Sequence, residues 1–455
     1  MTPSFSSLCV ELIWDRGTIL VDEKPPPEAL KFFRLDPRVG KYRALAIHHS
    51  AVRRVLEERG IVFEDRVLRP ACREVEAKVK PELRHYQLQA LEAWLRAKRG
   101  VVVMPTGAGK TFVAIAAIAE VSEPAMVVVP TVELVGQWRR RLSRYFPGAV
   151  GVWYGQEKEE NCVLVTTYDS AYISVEQLGP KYPLFVFDEV HHLPSESYRQ
   201  IAELSPAPYR LGLTATPERA DNLHLLLDEL VGPVVYEMSV SEASGRYLAE
   251  FEVELVKVRL SEEEEAEYRR LEKVYLDYVR RRGLRFRSPA EFRKLVVLSG
   301  RDPGARRALE AWVKMRSILF NSESKVQVVG EILSRHRDGR ILIFTEYTSL
   351  ARAVSERYLI PLITHETSGD ERRRVLEGFR SGVFKAIVTG KVLDEGIDVP
   401  DVNVVVILGG TSSRRQFIQR VGRALRLKPE KAKIYEVVTA STREVAASRR
   451  RRRGL

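Results

Sequence analysis

Two short stretches carry residue types suited to handling phosphate: MPTGAGKT at 104–111 and LFVFDEVHH at 184–192. In the first, Thr106, Gly107, Ala108, Gly109, Lys110 and Thr111 form a glycine turn that runs directly into an apolar helical segment. Backbone N–H groups at such a helix start can wrap phosphate oxygens, Lys110 can neutralise β/γ charge, and the Thr111 hydroxyl can ligate a divalent cation. The match is to the shorter half of the pattern G-x-x-x-x-G-K-[ST], because Met104 stands where the first glycine would be. In the second stretch, four apolar residues deliver Asp188 and Glu189 to the C-terminal end of a strand, where open α/β sheets bind ligands. Asp188 suits Mg²⁺, and Glu189 suits the orientation of an attacking water. Side by side, the two stretches predict ATP and Mg²⁺ as the bound species.

Two further segments offer groups to the same chemistry. ELRHYQLQALEAW (82–94) reads as an amphipathic helix behind Pro81, and its Gln87 is expected on the edge of adenine with Arg84 near the base. TSSRRQFIQRVGRALR (411–426) places Arg420, Arg423 and Arg426 three residues apart along one helix flank, while Phe417, Ile418, Val421 and Leu425 supply a face to bury. An arginine that reaches the γ-phosphate from a second domain can contribute about 10³–10⁵ in rate, by compensating charge in the transition state.

Elements that could position these groups recur along the chain. Short apolar runs, several of them rich in valine, begin at 101, 126, 163, 184 and 210 and are separated by helix-compatible stretches, which predicts a parallel sheet covered on both faces. A second set begins at 340, 360, 385, 402 and 433, so two α/β domains in tandem are expected, over 76–237 and 238–445. Between the sets, residues 261–318 read as helical, with Trp312, Met315 and Ile318 on one apolar face. Residues 1–75 are mixed, with ELIW and TILV strand-like and AVRRVLEERG helical.

Composition narrows the class. The chain has 455 residues, 45% of them hydrophobic, enough for about three cores. It lacks a long uncharged apolar run and a basic-then-apolar leader, so a soluble, cytoplasmic protein with no membrane contact is expected. Cys9, Cys72 and Cys162 stand far apart, which predicts packing residues rather than a disulfide framework or metal knuckle. A net charge of +12 favours a polyanionic partner, although Arg449–Arg453 supplies five of those charges and reads as a solvated, disordered end (446–455).

Taken in order, RHYQ (84–87), MPTGAGKT (104–111), VVPTVELVGQW (128–138), VTTYDSAY (165–172), DEVHH (188–192), LTAT (213–216), IFTEYT (343–348), IVTGKVLDEGIDVP (387–400) and QFIQRVGRALR (416–426) resemble superfamily 2 helicases, most closely the XPB-type DNA helicase/translocases of archaea and nucleotide excision repair. The resemblance implies two RecA-like lobes, a thumb-like helical insertion and a small damage-recognition-like N-terminal domain. ATP is then expected between the lobes, and DNA, single-stranded, forked or duplex, is expected to be followed in the 3′ to 5′ sense. It further implies phosphate contacts from Thr131, Thr166, Thr345 and Thr389, and coupling of hydrolysis to movement through Thr214 and Thr216. Gly396 and Asp398 are expected near the ribose and γ-phosphate, and Gln419, Arg423 and Arg426 as catalytic groups of the second lobe.

One departure stands out. Where the family carries an Arg-Glu-Asp element after the TAT motif, this chain has Arg219, Ala220 and Asp221. Two alternatives stay open at this level: an RNA helicase of the DEAH kind, and an ATP-binding scaffold that recruits a nuclease or other repair partner.

Overall fold

The computed structural model describes residues 10–219, 221–243, 250–284, 289–390, 402–409 and 431–451. The described chain divides into two compact units on either side of Ala243.

In the first unit, the five apolar runs supply the centre of a sheet of eight strands in the order Val234–Glu237, Arg99–Val103, Tyr209–Thr214, Leu184–Asp188, Ala125–Val129, Val163–Thr167, Val150–Tyr154 and Glu157–Glu159. All neighbours are parallel except the last pair. Helices cover both faces, so the central strands are buried throughout and need no apolar/polar alternation. Registers of Leu213 with Asp188 and Thr214 with Val103 bring the strand ends level, so the loops that follow them share one edge.

The N-terminal segment builds its own five-stranded mixed sheet from Arg34–Asp36, Lys41–Leu45, Thr18–Val21, Val10–Asp15 and Phe63–Arg66. Helix His49–Glu58 closes its core through Val52 and Leu56. From there the chain crosses the larger domain as a strap, with Arg69 and Ala71 donating backbone N–H groups to Pro180 and Lys181, and Val75 donating to Ser122. This strap corrects the expectation for the cysteines. Cys72 and Cys162 are joined in a disulfide, their Cα atoms 5.6 Å apart across 90 residues of sequence; the spacing conceals the pairing because only the strap's path brings them together.

The second unit is an all-parallel six-stranded sheet, ordered Phe251–Val258, Ala432–Thr439, Val404–Leu408, Ile341–Thr345, Ala386–Thr389 and Leu362–Ile363. Helices Glu262–Arg281, Pro289–Ser299 and Pro303–Phe320 pack on one another around Tyr268, Leu271, Tyr275, Leu295 and Met315, which gives the expected helical insertion its own core.

The basic C-terminal end differs from its expectation. Arg443–Arg451 is a helix, because its inner face has polar partners to satisfy. Glu444 meets the fully buried Lys325 at 3.0 Å and accepts from the Thr439 N–H at 2.7 Å, and Ser448 donates to Glu436 at 2.6 Å. Removing one partner of a buried ion pair strands the other charge, so Glu444→Ala is expected to cost about 3–5 kcal/mol in urea unfolding. A change below about 1 kcal/mol, the scale of exposed pairs, would mean that the pair is solvated.

Candidate nucleotide and nucleic-acid site

The phosphate loop lies between strand Arg99–Val103 and helix Lys110–Val121. Gly107 and Gly109 have φ of +87° and +82°, the left-handed region open to glycine at no steric cost. At Gly109 an added Cβ would also lie 2.4 Å from Gln87 Nε2, so that amide would have to shift from its bond to the Ala108 carbonyl. Lys110 folds back over the loop and donates to the carbonyls of Met104 (3.0 Å) and Pro105 (3.4 Å). The Thr106 hydroxyl is buried in the same turn and has no hydrogen-bond partner among the described residues. A loop that ends in a lysine, opens a helix and holds an unsatisfied hydroxyl is fitted to a phosphate group.

Helix His85–Ala97 supports the loop from behind. Tyr86 Oη and Gln87 Nε2 both donate to the Ala108 carbonyl at 2.9 Å, and Gln87 Oε1 accepts from the Arg84 N–H at 2.9 Å. Gln87, predicted on the adenine edge, is therefore buried with its amide shared between the loop and its own helix start. As placed, it shapes the phosphate loop.

Asp188 and Glu189 end the Leu184–Asp188 strand. Glu189 has φ of +49°, rare for a residue with a side chain, and such strain gathers where a site requires a fixed direction. The turn lets the Glu189 N–H donate to Asp188 Oδ1 at 3.1 Å, while Trp138 Nε1 donates to Oδ2 at 2.8 Å. Tyr168 Oη holds the backbone by donating to the Asp188 carbonyl at 3.0 Å. Burial pushes the Asp188 carboxyl above its ordinary value, while the Trp138 hydrogen bond and the Lys110 charge pull it down. The hydroxyl of Thr111 and the carboxylate of Asp188 are hard oxygen donors, which fits Mg²⁺. Among the described residues no cluster of three or more His, Cys, Asp or Glu forms a metal cage.

The TAT segment lies on the strand between loop and carboxylates. His191, fully buried, sits with Nδ1 3.5 Å from Glu189 Oε2 and 3.2 Å from Thr214 Oγ1. Thr214 Oγ1 in turn donates to the Thr216 carbonyl at 2.9 Å. Arg219 donates to the His191 carbonyl at 2.6 Å and forks onto Asp221, whose carboxyl it holds down to about 2. A chain of contacts thus runs from Glu189 through His191 to both threonines and the Arg219–Asp221 pair. His191, Trp138 and Tyr168 lie in the DEVHH, VVPTVELVGQW and VTTYDSAY blocks without an assigned role, because nothing in their spacing marks which polar atom each turns toward the site.

The four threonines expected to touch a nucleic-acid backbone divide in two. Thr131 caps helix Val132–Tyr145 and is partly exposed. Thr166, Thr345 and Thr389 are fully buried: Thr166 donates to the Trp153 carbonyl at 2.6 Å, Thr345 accepts from the Tyr347 N–H at 3.2 Å, and Thr389 donates to Gly390 at 3.2 Å. That burial corrects the expectation for these three, because a sheet covered on both faces hides both sets of side chains. Gly396, Asp398, Gln419, Arg423 and Arg426 lie outside the described residues, as does Ala220.

Comparison with known proteins adds identity to this geometry. Three family models match in sequence order: the Xeroderma pigmentosum group B helicase damage recognition domain over residues 12–67, the Type III restriction enzyme res subunit over 80–219, and the Helicase conserved C-terminal domain over 324–428. The chain is 42% identical over 443 residues to the DNA 3'-5' translocase XPB2 of Sulfurisphaera tokodaii, covering 97% of this chain and 100% of that protein. The chain belongs to the XPB helicase family. A second relative, the putative DNA 3'-5' helicase Rad25 of Haloarcula marismortui, is 32% identical over 89% of this chain, which spans 60% of that longer protein. The fold is also that of S. cerevisiae Dbp5, solved bound to RNA and ADP BeF3, with a TM-score of 0.57 at 18% identity over 81% of this chain and 86% of that one. Both α/β domains are RecA-like, and helicase domains of this family use ATP. No helix among the described residues is long and apolar enough to cross a membrane.

Proposed function

We propose that this chain is a DNA-dependent ATPase that converts ATP hydrolysis into 3′ to 5′ movement along DNA, in the service of repair or duplex opening. The observation that carries the reading is the assembly on one sheet edge of the Gly107–Thr111 loop, Asp188 and Glu189, in a chain that matches a DNA 3'-5' translocase end to end. The named relatives act on DNA by their descriptions, which favours DNA over RNA as the polymer.

In this reading the loop N–H groups and Lys110 bind the β- and γ-phosphates, and Thr111 with Asp188 would hold Mg²⁺. The ion would supply charge neutralisation at the phosphates. Glu189 orients the attacking water, held in direction by its left-handed backbone and by His191. By the family resemblance, Gln419, Arg423 and Arg426 would serve the γ-phosphate, and Gly396 and Asp398 the ribose and γ-phosphate. Thr131 receives a DNA phosphate, a contact that positions the strand without reading its sequence. The His191–Thr214–Thr216 contacts give the carboxylate a route by which its state is felt at the TAT segment.

Lys110→Ala is expected to weaken binding of a fluorescent ADP by about 30–100-fold, the scale of a lost charge-assisted contact to phosphate. Unchanged affinity would place the nucleotide elsewhere. The reading itself is tested by ATP turnover of the whole chain with single-stranded, duplex and forked DNA and with RNA.

A further inference from the structure

Helix Val132–Tyr145 is capped by Thr131, and two of its side chains touch the residues assigned to the metal. Trp138, almost fully buried, gives its indole N–H to Asp188 Oδ2 at 2.8 Å. Three residues on, and therefore on the same helix face, Arg141 gives an Nη1–H to Thr111 Oγ1 at 3.2 Å. Its neighbour Arg139 shows what an arginine on this helix does when it faces water: it pairs with the exposed Glu159 at 2.8 Å. Arg141 instead turns inward, half-buried, toward a hydroxyl and a carboxylate.

The two contacts act on a cation in opposite senses. Asp188 has two carboxylate oxygens and could rotate about its side-chain bond; with Oδ1 on the Glu189 N–H and Oδ2 on Trp138, it is held in one orientation. Fixing a ligand from a residue behind it raises metal affinity, and loss of such a support typically costs 10–100-fold. The Arg141 guanidinium instead occupies a lone pair of the Thr111 hydroxyl and places a fixed positive charge against the same pair of ligands. A like charge this close opposes a divalent ion.

We propose that Trp138 and Arg141 are positioning residues that set the affinity of the Mg²⁺ site from the helix behind it, Trp138 raising it and Arg141 lowering it. The proposal rests on the assignment of Thr111 and Asp188 to Mg²⁺ in the preceding subsection. It makes the site weak by construction in the direction that matters for turnover: a nucleotide whose metal is held against a resident cation is released more readily once hydrolysed. Because the helix also begins at Thr131, the residue expected to meet DNA, any shift of the helix on the polymer moves both braces together.

The test is binding of methylanthraniloyl-ADP to the full chain by fluorescence, titrated with Mg²⁺ and repeated in excess chelator. Arg141→Gln is expected to lower the half-saturating Mg²⁺ concentration by about tenfold and Trp138→Phe to raise it by about tenfold, while Arg141→Lys, which keeps the charge, stays near wild type. Affinity in chelator is expected to be unchanged in Trp138→Phe and in Arg141→Lys, which keeps the charge beside the phosphates, whereas a folding defect would lower it. Identical Mg²⁺ dependence in wild type and Arg141→Gln, or weaker Mg²⁺ binding in Arg141→Gln, overturns the proposal. Failure of the wild-type chain itself to bind the nucleotide refutes the site assignment on which the proposal stands, a result distinct from binding that the substitutions leave untouched.

Discussion

Replacing Glu189 with glutamine is expected to lower DNA-stimulated ATP turnover by about 10²–10⁴ while leaving nucleotide affinity close to that of the wild type. The reason lies in what the substitution keeps. Glutamine has nearly the same volume, the backbone remains in its left-handed turn, and the Asp188 carboxylate retains its hydrogen bonds from Trp138 and from the residue 189 N–H. What is lost is the negative oxygen that draws a proton from water, a contribution made as the transition state forms. The His191 contact at 3.5 Å also loses its charge, so the link to Thr214 should weaken and DNA should stimulate the residual rate less. Turnover within a few-fold of wild type would show that another group orients the water, and a large loss of nucleotide affinity would assign Glu189 to binding.

The second large effect is expected at Arg426. Under the proposed function this residue meets the γ-phosphate from the second lobe, and Arg426→Ala should lower turnover by about 10³–10⁵. Nucleotide affinity should fall far less, because compensation of charge that develops during transfer is realised mainly in the transition state. Lysine should rescue only part of the rate, since a point charge cannot reproduce the two-pronged geometry of guanidinium. Steady-state rates beside direct binding of a fluorescent nucleotide separate these terms; a pure affinity loss would move Arg426 out of the catalytic set.

Much of the scaffold was legible because each strand announces itself. Ala125–Val129 is buried from end to end and the Leu184–Asp188 strand is buried up to Phe187, so these runs need carry only apolar residues, bounded by a proline or a charged pair. The phosphate loop and the two carboxylates were legible for a related reason: their chemistry demands particular residue types at the end of such runs. The same architecture hid other features. Thr166, Thr345 and Thr389 stand at strand ends where a ligand is expected, yet helices over both faces of the sheets bury them, and a linear pattern cannot separate a threonine that caps from one that contacts.

Long-range pairings were likewise invisible. Cys72 meets Cys162 where the strap is tied to Pro180 and Lys181, and helix Arg443–Arg451 turns Glu444 and Ser448 to partners further back in the chain, Lys325 and Glu436. Gln87 shows the mixed case: its helix was read correctly, while its amide serves the phosphate loop by bonding the Ala108 carbonyl. Trp138 is almost fully buried, and its single polar atom reaches Asp188.

The most direct test of the central claim is the rate of ATP hydrolysis by the purified full chain with Mg²⁺, measured without polymer, with forked DNA and with RNA of matched sequence. The account predicts a low basal rate raised severalfold or more by DNA and lost in Glu189→Gln. A chain that hydrolyses no ATP with any polymer, or that answers to RNA and ignores DNA, would contradict it.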